Sequence, residues 1–155
     1  MEIRPYQDSD HAEIADLFHD SIHAIDRSIY SEEELEAWAP TPPDYDFWKK
    51  RLSAKKPFLA INSNAIVGFI ELENDGHIDC LYVHKDYQGL GVASELLQYL
   101  KQTAHDRGIN ELYVEASKVA MPLFKKHGFE LLKTNRVNLR GQSLTNYRMA
   151  SSAQP

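Results

Sequence analysis

The stretch LYVHKDYQGLGVASELLQYL, Leu81 to Leu100, restricts the possible folds of this chain more than any other. It passes from an apolar, β-type segment through a polar turn holding Gln88, Gly89 and Gly91 into an amphipathic helix pattern. A strand-to-helix turn presents unpaired backbone N–H groups at the positive end of the helix dipole. Where no Cβ blocks the approach, such a turn binds phosphate. Gly89 and Gly91 give that clearance, so QGLGVA can aim successive N–H groups from Gly89 to Ser94 at a pyrophosphate. Glycine spacing alone fits a plain tight turn ahead of a helix at least as well. Two other phosphate loops fail. The dinucleotide pattern G-x-G-x-x-G would need glycine where Ser94 stands, and Gly-Lys-Ser or Gly-Lys-Thr of the triphosphate loop is absent.

The surrounding pattern sets the architecture. EIRPY reads as a first strand, and Ile14, Leu17, Phe18, Ile22 and Ile25 recur at helical spacing after it. Ser31 with Glu34 makes a capping box for a second helix that Pro40 ends, and Asp44 caps a third. PFLAIN, AIVGFIELE and HIDCLYV read as three antiparallel strands, the last two joined at Asn74-Asp75-Gly76. A helix from about Gly91 to Arg107 buries Val92, Leu96, Leu97, Leu100 and Ala104, and Gly108 stops it. ELYVEA is a strand, SKVAMPLFKKHG a helix, and FELLKTNRVNL with LTNYRM a closing hairpin. This order predicts an α/β (α+β) protein with a mixed, mostly antiparallel central sheet flanked by helices. It contains no βαβαβ half.

At 155 residues the chain can enclose one continuous core, so 1–150 read as one domain and 151–155 as a disordered tail. A net charge of −6 without Lys/Arg runs argues against nucleic acid as a partner. The N-terminus lacks the apolar core of a signal peptide and no run is long enough to span a bilayer, which points to a cytoplasmic protein without membrane contact. Cys80 is the only cysteine, so no internal disulfide forms; it reads as a small buried hydrophobe. The seven histidines follow no metal-ligand spacing, and no metal is assigned.

Gln88-Gly89-Leu90-Gly91-Val92-Ala93 matches the pattern Gln/Arg-x-x-Gly-x-Gly/Ala, preceded by Leu81, Val83 and Tyr87 at the spacing L-x-V-x-x-x-Y/F. In both respects the chain resembles the GNAT superfamily of acyl-CoA N-acyltransferases. Ser117 through Phe129 resembles that family's N-x-x-A-x-x-F-Y-x-K-x-G-F element, and IRPYQDSDHAEIADLF its first strand and helix. The resemblance covers roughly residues 2–149 and implies the GNAT fold with splayed strands 4 and 5. It implies acetyl-CoA as acyl donor and a small-molecule or peptide amine, cationic or neutral, as acceptor, with direct attack in a ternary complex. A homodimer is compatible with it. It gives Leu81, Tyr82 and Val83 a backbone role toward the pantetheine arm. Gln88, Gly89, Leu90, Gly91, Val92, Ala93 and Ser94 would hold the pyrophosphate. Ser117 and Phe124 would sit near the thioester.

Two positions depart from the family pattern: Ser117 replaces Asn, and Phe124 replaces the Tyr that commonly protonates the departing thiolate. Phenylalanine has no proton to give, so Phe124 reads as packing on the cofactor. A thiol has a pKa of roughly 8.5, so a thiolate leaves tolerably near neutrality. Water, Ser117 or Tyr82 could supply the proton. An acyl-CoA-binding domain without turnover is the rival reading. The amine, with a pKa of roughly 10.4, must lose a proton before attack. Glu115, ending the fifth strand, resembles the base of some protein-acetylating members. Asp79 is the second candidate, with His77, Glu71 and Glu73 behind it; strand alternation places His77, Asp79 and Leu81 on one face. Asp20, Asp26, Tyr30, Trp38, Tyr45, Phe47 and Trp48 lie where an acceptor wall is expected, although Trp38 and Phe47 also suit core packing.

Overall fold

The computed structural model describes residues 1–153. Its elements are β1 (Glu2–Pro5), α1 (His11–His23), α2 (Glu32–Trp38), α3 (Tyr45–Lys55), β2 (Phe58–Asn62), β3 (Ala65–Leu72), β4 (His77–Val83), α4 (Val92–Asp106), β5 (Glu111–Ala116), α5 (Met121–Lys126), β6 (Glu130–Leu139) and β7 (Gln142–Ser152). Local chemistry explains most of the boundaries. Ser31 Oγ accepts from Glu34 N–H while Glu34 Oε1 accepts from Ser31 N–H, which closes the capping box of α2. Asp44 Oδ1 accepts from Phe47 N–H and starts α3.

The seven strands form one sheet in the order β1-β2-β3-β4-β5-β7-β6, with β4 and β5 as its parallel pair. One face packs on α4: Leu96, Leu97, Leu100 and Ala104 meet Val67, Ile70, Ile78, Leu112 and Met149, all buried. The other face packs on α1 and α3, where Ile14, Leu17, Trp48 and Leu52 meet Leu59, Ile66 and Phe69. Burial on both faces explains why β3 is a continuous apolar run rather than an alternating one. Glu71 interrupts that run.

Two features differ from the sequence expectation. Ile70 pairs with Leu81 and Leu72 with Ile78, so Asp79 and Cys80 together oppose Glu71. This β-bulge in β4 offsets the side-chain alternation. Ile78 and Leu81 therefore share the α4 face, whereas Cys80 and Tyr82 pack toward α1 and α3. His77 and Asp79 lie opposite to Leu81, not beside it. The second difference is at the C-terminus, where β7 runs through Ser152 and pairs it with Glu111. Ala153 is buried, and its N–H donates to Asn110 O at 3.0 Å. Positions 151 to 153 are thus not a loose tail, because pairing with a distant strand satisfies their backbone; 154 and 155 lie outside the described residues. Among the described residues, no helix is long and apolar enough to cross a membrane.

Candidate functional site

The bulge marks where the sheet opens. β4 and β5 pair only at His77–Tyr113 and Ile78–Val114, and from Asp79 onward the two strands part. A bulge bends its strand and increases its twist, which accounts for the separation beginning there. His84 N–H donates to Val67 O, so Gly68–Val83 is a non-hydrogen-bonded pair of the antiparallel ladder. By alternation Tyr82 exchanges its backbone bonds with Phe69, while those of Leu81 and Val83 point into the gap. Gln88 Nε2 donates to Val83 O at 3.2 Å, as that orientation requires. Of the three consecutive residues, Leu81 and Val83 carry the edge that faces the gap, with Val83 O bonded by Gln88, and Tyr82 does not.

After a single turn of 3-10 helix at Lys85–Tyr87, the chain reaches α4 through Gly89 and Gly91. Their φ values are +77° and +85°, in the left-handed region that glycine enters without strain. A Cβ added at either position would meet nothing within 4 Å, so both backbones face open space. Glu95 N–H bonds Gly91 O, which leaves the N–H groups of Val92, Ala93 and Ser94 as the unsatisfied first turn of a 15-residue helix. The chain thus forms a concave, donor-lined turn with room for a phosphate group. Lys126 adds a positive charge to the groove that Gln88, Gly89, Gly91 and Ser94 line. Ser94 Oγ is hydrogen-bonded to His127 Nε2 at 3.0 Å, tying α4 to the end of α5. Leu90 is 70% exposed, so its share in the turn is its backbone.

Where β4 and β5 separate, a cleft is lined by Asp79, Tyr82, Glu115, Ser117, Phe124 and Asn146. A further cleft on the α1 and α3 side is lined by Phe18, Trp48, Arg51 and Arg140. Trp38 and Tyr82 line both clefts and the glycine groove, so the three meet at these two side chains. Trp38 Nε1–H donates to Tyr82 Oη at 3.3 Å, leaving the phenol proton free to donate elsewhere. Burial pushes the Tyr82 phenol well up, so it stays protonated. Ser117 Oγ accepts from Ala120 N–H at 3.2 Å and likewise keeps its proton. Phe124 is buried and stands edge-on to Phe129 at 5.1 Å.

The two candidate bases have different surroundings. Asp79 Oδ2 is held by Arg51 Nη2 at 2.8 Å and Lys55 Nζ at 3.0 Å. Burial raises its pKa, but the Lys55 hydrogen bond and the charges of Arg51 and Lys55 outweigh that, and the net shift is downward. Such a carboxylate is a poor proton acceptor. Glu115 has no cation on it; its Oε1 faces His77 Nε2 at 3.1 Å, and its side chain is 34% exposed.

Beneath them, Glu71 is fully buried and bonds Arg51 Nη2 at 2.7 Å, and burial raises its carboxyl above the usual range. Burial works against the Arg51 charge, but the carboxylates of Glu71 and Asp79 more than restore it. Cys80 is only partly buried: it lines both clefts, with Sγ 3.2 Å from Arg51 Nη2, so it is not the enclosed hydrophobe its neighbours in sequence suggest. Burial holds its thiol well above the ordinary value.

Of the residues expected in an acceptor wall, Tyr30, Trp38, Phe47 and Trp48 all line a cleft, Tyr30 and Trp48 as buried side chains, while Phe47 is 55% exposed because Leu52, not Phe47, occupies the buried stripe of α3. Sequence reasoning missed Arg51, Lys55, Lys126 and Asn146. Arg51 meets partners 20 and 28 residues away, a separation that no local spacing rule reports.

Residues 26–151 match the family described as Acetyltransferase (GNAT) domain. The uncharacterized N-acetyltransferase YafP of Escherichia coli (strain K12) is 34% identical over 154 residues, 99% of this chain and 97% of that protein. A crystal structure described as a GCN5-related N-acetyltransferase, aminotransferase class II, from Rhodopseudomonas palustris is 38% identical with a TM-score of 0.92, covering 97% of this chain and 94% of that one. PaiA N-acetyltransferase of Thermoplasma acidophilum, solved in complex with coenzyme A, shares the fold at a TM-score of 0.74 and 20% identity, over 98% of this chain and 99% of its own.

Proposed function

The chain belongs to the GNAT acetyltransferase family, and from that premise we propose that it transfers acetyl from acetyl-CoA to a primary amine by direct attack in a ternary complex. The observation that carries this reading is the parting of β4 from β5 beside the glycine-lined start of α4. The gap-facing edge of Leu81 and Val83 suits a pantetheine amide in the way a strand edge accepts another strand. The N–H groups of the first turn of α4 suit the pyrophosphate, with Lys126 adding charge. The acetyl group supplies the electrophilic carbonyl.

Glu115 is the base in this reading, since it lines the cleft and no cation holds it. Asp79, clamped by Arg51 and Lys55, orients that wall rather than accepting the proton. Tyr82 and Ser117 each have a hydroxyl proton available in the cleft, and either hydrogen bond would steady the departing thiolate in place of the hydroxyl that Phe124 lacks. Asn146 Oδ1 is buried without a partner on the cleft wall, and with Glu115 it offers acceptor oxygens to an amine N–H.

Thiol release from acetyl-CoA with a panel of primary amines tests the reaction. Amine-dependent release that is lost in Glu115→Gln is expected; tight coenzyme A binding with no release under any amine would favour a binding domain instead. Gly89→Val with Gly91→Val tests the cradle. A branched Cβ there fills the phosphate's space and strains a positive φ, so coenzyme A affinity falls at least about a hundredfold, some 2.7 kcal/mol. Unchanged affinity in a folded double variant overturns the assignment.

A further inference from the structure

His77 stands behind Glu115, with one ring nitrogen on each of two carboxylates. Nε2 faces Glu115 Oε1 at 3.1 Å, and Nδ1 faces Glu73 Oε1 at 2.5 Å. The ring stacks on Tyr113, with centroids 4.8 Å apart and planes 28° from parallel, and its side chain is 16% exposed. Glu115 lines the cleft and Glu73, 39% exposed, reaches solvent, so the imidazole connects an inner carboxylate to an outer one.

Every neighbouring element contributes charge. From α3, Lys55 bonds Glu73 at 3.1 Å and Asp79 at 3.0 Å, and Arg51 bonds Asp79 at 2.8 Å. Asp75, in the turn before β4, accepts from His77 N–H and from Tyr113 Oη–H. From β7, Arg148 pairs across from Glu115 and lies 4.8 Å over the Tyr113 ring. Lys55 thus balances Glu73 and Asp79, and no cation in this set touches His77 itself.

We propose that His77 is the proton reservoir behind Glu115. A neutral imidazole bonded at Nδ1–H to Glu73 turns its Nε2 lone pair toward Glu115, so the 3.1 Å contact becomes a hydrogen bond only when Glu115 carries a proton. When Glu115 takes the proton of the attacking amine, the O–H formed can pass that proton to Nε2. Glu115 returns to carboxylate, and the ring becomes an imidazolium held between two carboxylates. Loss of one proton to buffer after product leaves restores the neutral ring. His77 acts through Glu115 and touches no substrate, so it is a positioning residue for the proton. His77 has this role only with Glu115 as the base.

Two measurements test it. In the free protein, 15N-histidine NMR follows the His77 ring with pH. If His77 and Glu115 exchange a proton, Glu115→Gln changes the His77 titration curve; a curve unmoved by that exchange overturns the proposal, whatever the acceptor is. In the thiol-release assay with cadaverine as the primary amine, His77→Gln lowers kcat roughly tenfold or more and leaves the KM for acetyl-CoA unchanged. His77→Ala behaves alike but regains turnover as imidazole is added to the buffer, which a merely structural role would not allow. Full turnover in a folded His77→Gln protein, or no imidazole rescue of His77→Ala, sinks the reservoir. Full turnover in Glu115→Gln instead sinks the base reading, so the two failures are distinguishable.

Discussion

Glu71 sits with no exposed surface in the middle of the sheet, and its Oε2 has no hydrogen-bond partner. Arg51 compensates that charge from above, and the same Nη2 also holds Asp79. Removing one member of a buried pair leaves the other uncompensated, which costs about 3–5 kcal/mol. Arg51→Met is therefore expected to lose about that much stability at pH 7 in urea denaturation. The loss should shrink on acidification, because a protonated Glu71 no longer carries a stranded charge. Loss unaffected by pH would mean that packing, not charge, explains the effect. In the sequence, Glu71 is simply a charge on a strand, and Arg51 one of several cations on a helix. Their pairing depends on how α3 crosses the sheet. Glu115 could be placed near the opening because it stands one residue before the end of β5, and Gly89 and Gly91 because a turn and its residues are contiguous. Asn146 was not, since only the β5–β7 register brings it to the cleft.

α2 shows what an element contributes beyond its own length. It has seven residues, too few to persist alone, and its capping box satisfies the start. Its last residue, Trp38, donates to Tyr82 where the three clefts meet. Ser31→Ala is expected to cost about 1 kcal/mol in urea denaturation. Because Trp38 lines the glycine groove as well as both clefts, loosening it should raise the KM for the acceptor and for acetyl-CoA together. Unchanged KM values would show that α2 contributes to stability alone. Capping boxes, helix faces and hairpin turns are local, which is why these elements could be placed from the sequence. The bulge at Asp79–Cys80 could not, because it exists only in relation to β3. It alone decides which face Leu81 and Asp79 occupy.

Across the whole molecule, acidic groups tie separate elements together, and this sets how stability varies with pH. Asp10 accepts two bonds from Arg4 at 2.8 and 2.9 Å and a third from Gln7 N–H at 2.8 Å, joining β1 to the start of α1. The Arg4 hydrogen bond holds its carboxyl below the usual range despite burial. Asp79 and Glu73 are also lowered, and through Lys55 they fasten α3 to the opened edge of the sheet. A carboxylate lowered on folding stabilises above its unfolded pKa, roughly 3.9 for Asp and 4.3 for Glu, and that stability is lost as pH falls through the native value. Glu71 has the opposite sign, since its raised pKa favours the folded state as pH falls. With three bridging carboxylates lowered against one buried carboxylate raised, the thermal midpoint is expected to fall between pH 5 and pH 3. Asp10→Asn isolates one contribution. It should cost about 1.5–3 kcal/mol at pH 7, roughly 3–12 °C for a chain of this length. As pH falls below the unfolded Asp value of roughly 3.9, the gap between the two proteins should narrow. A gap of constant width from pH 7 to pH 3 would mean that Asp10 acts through shape rather than charge.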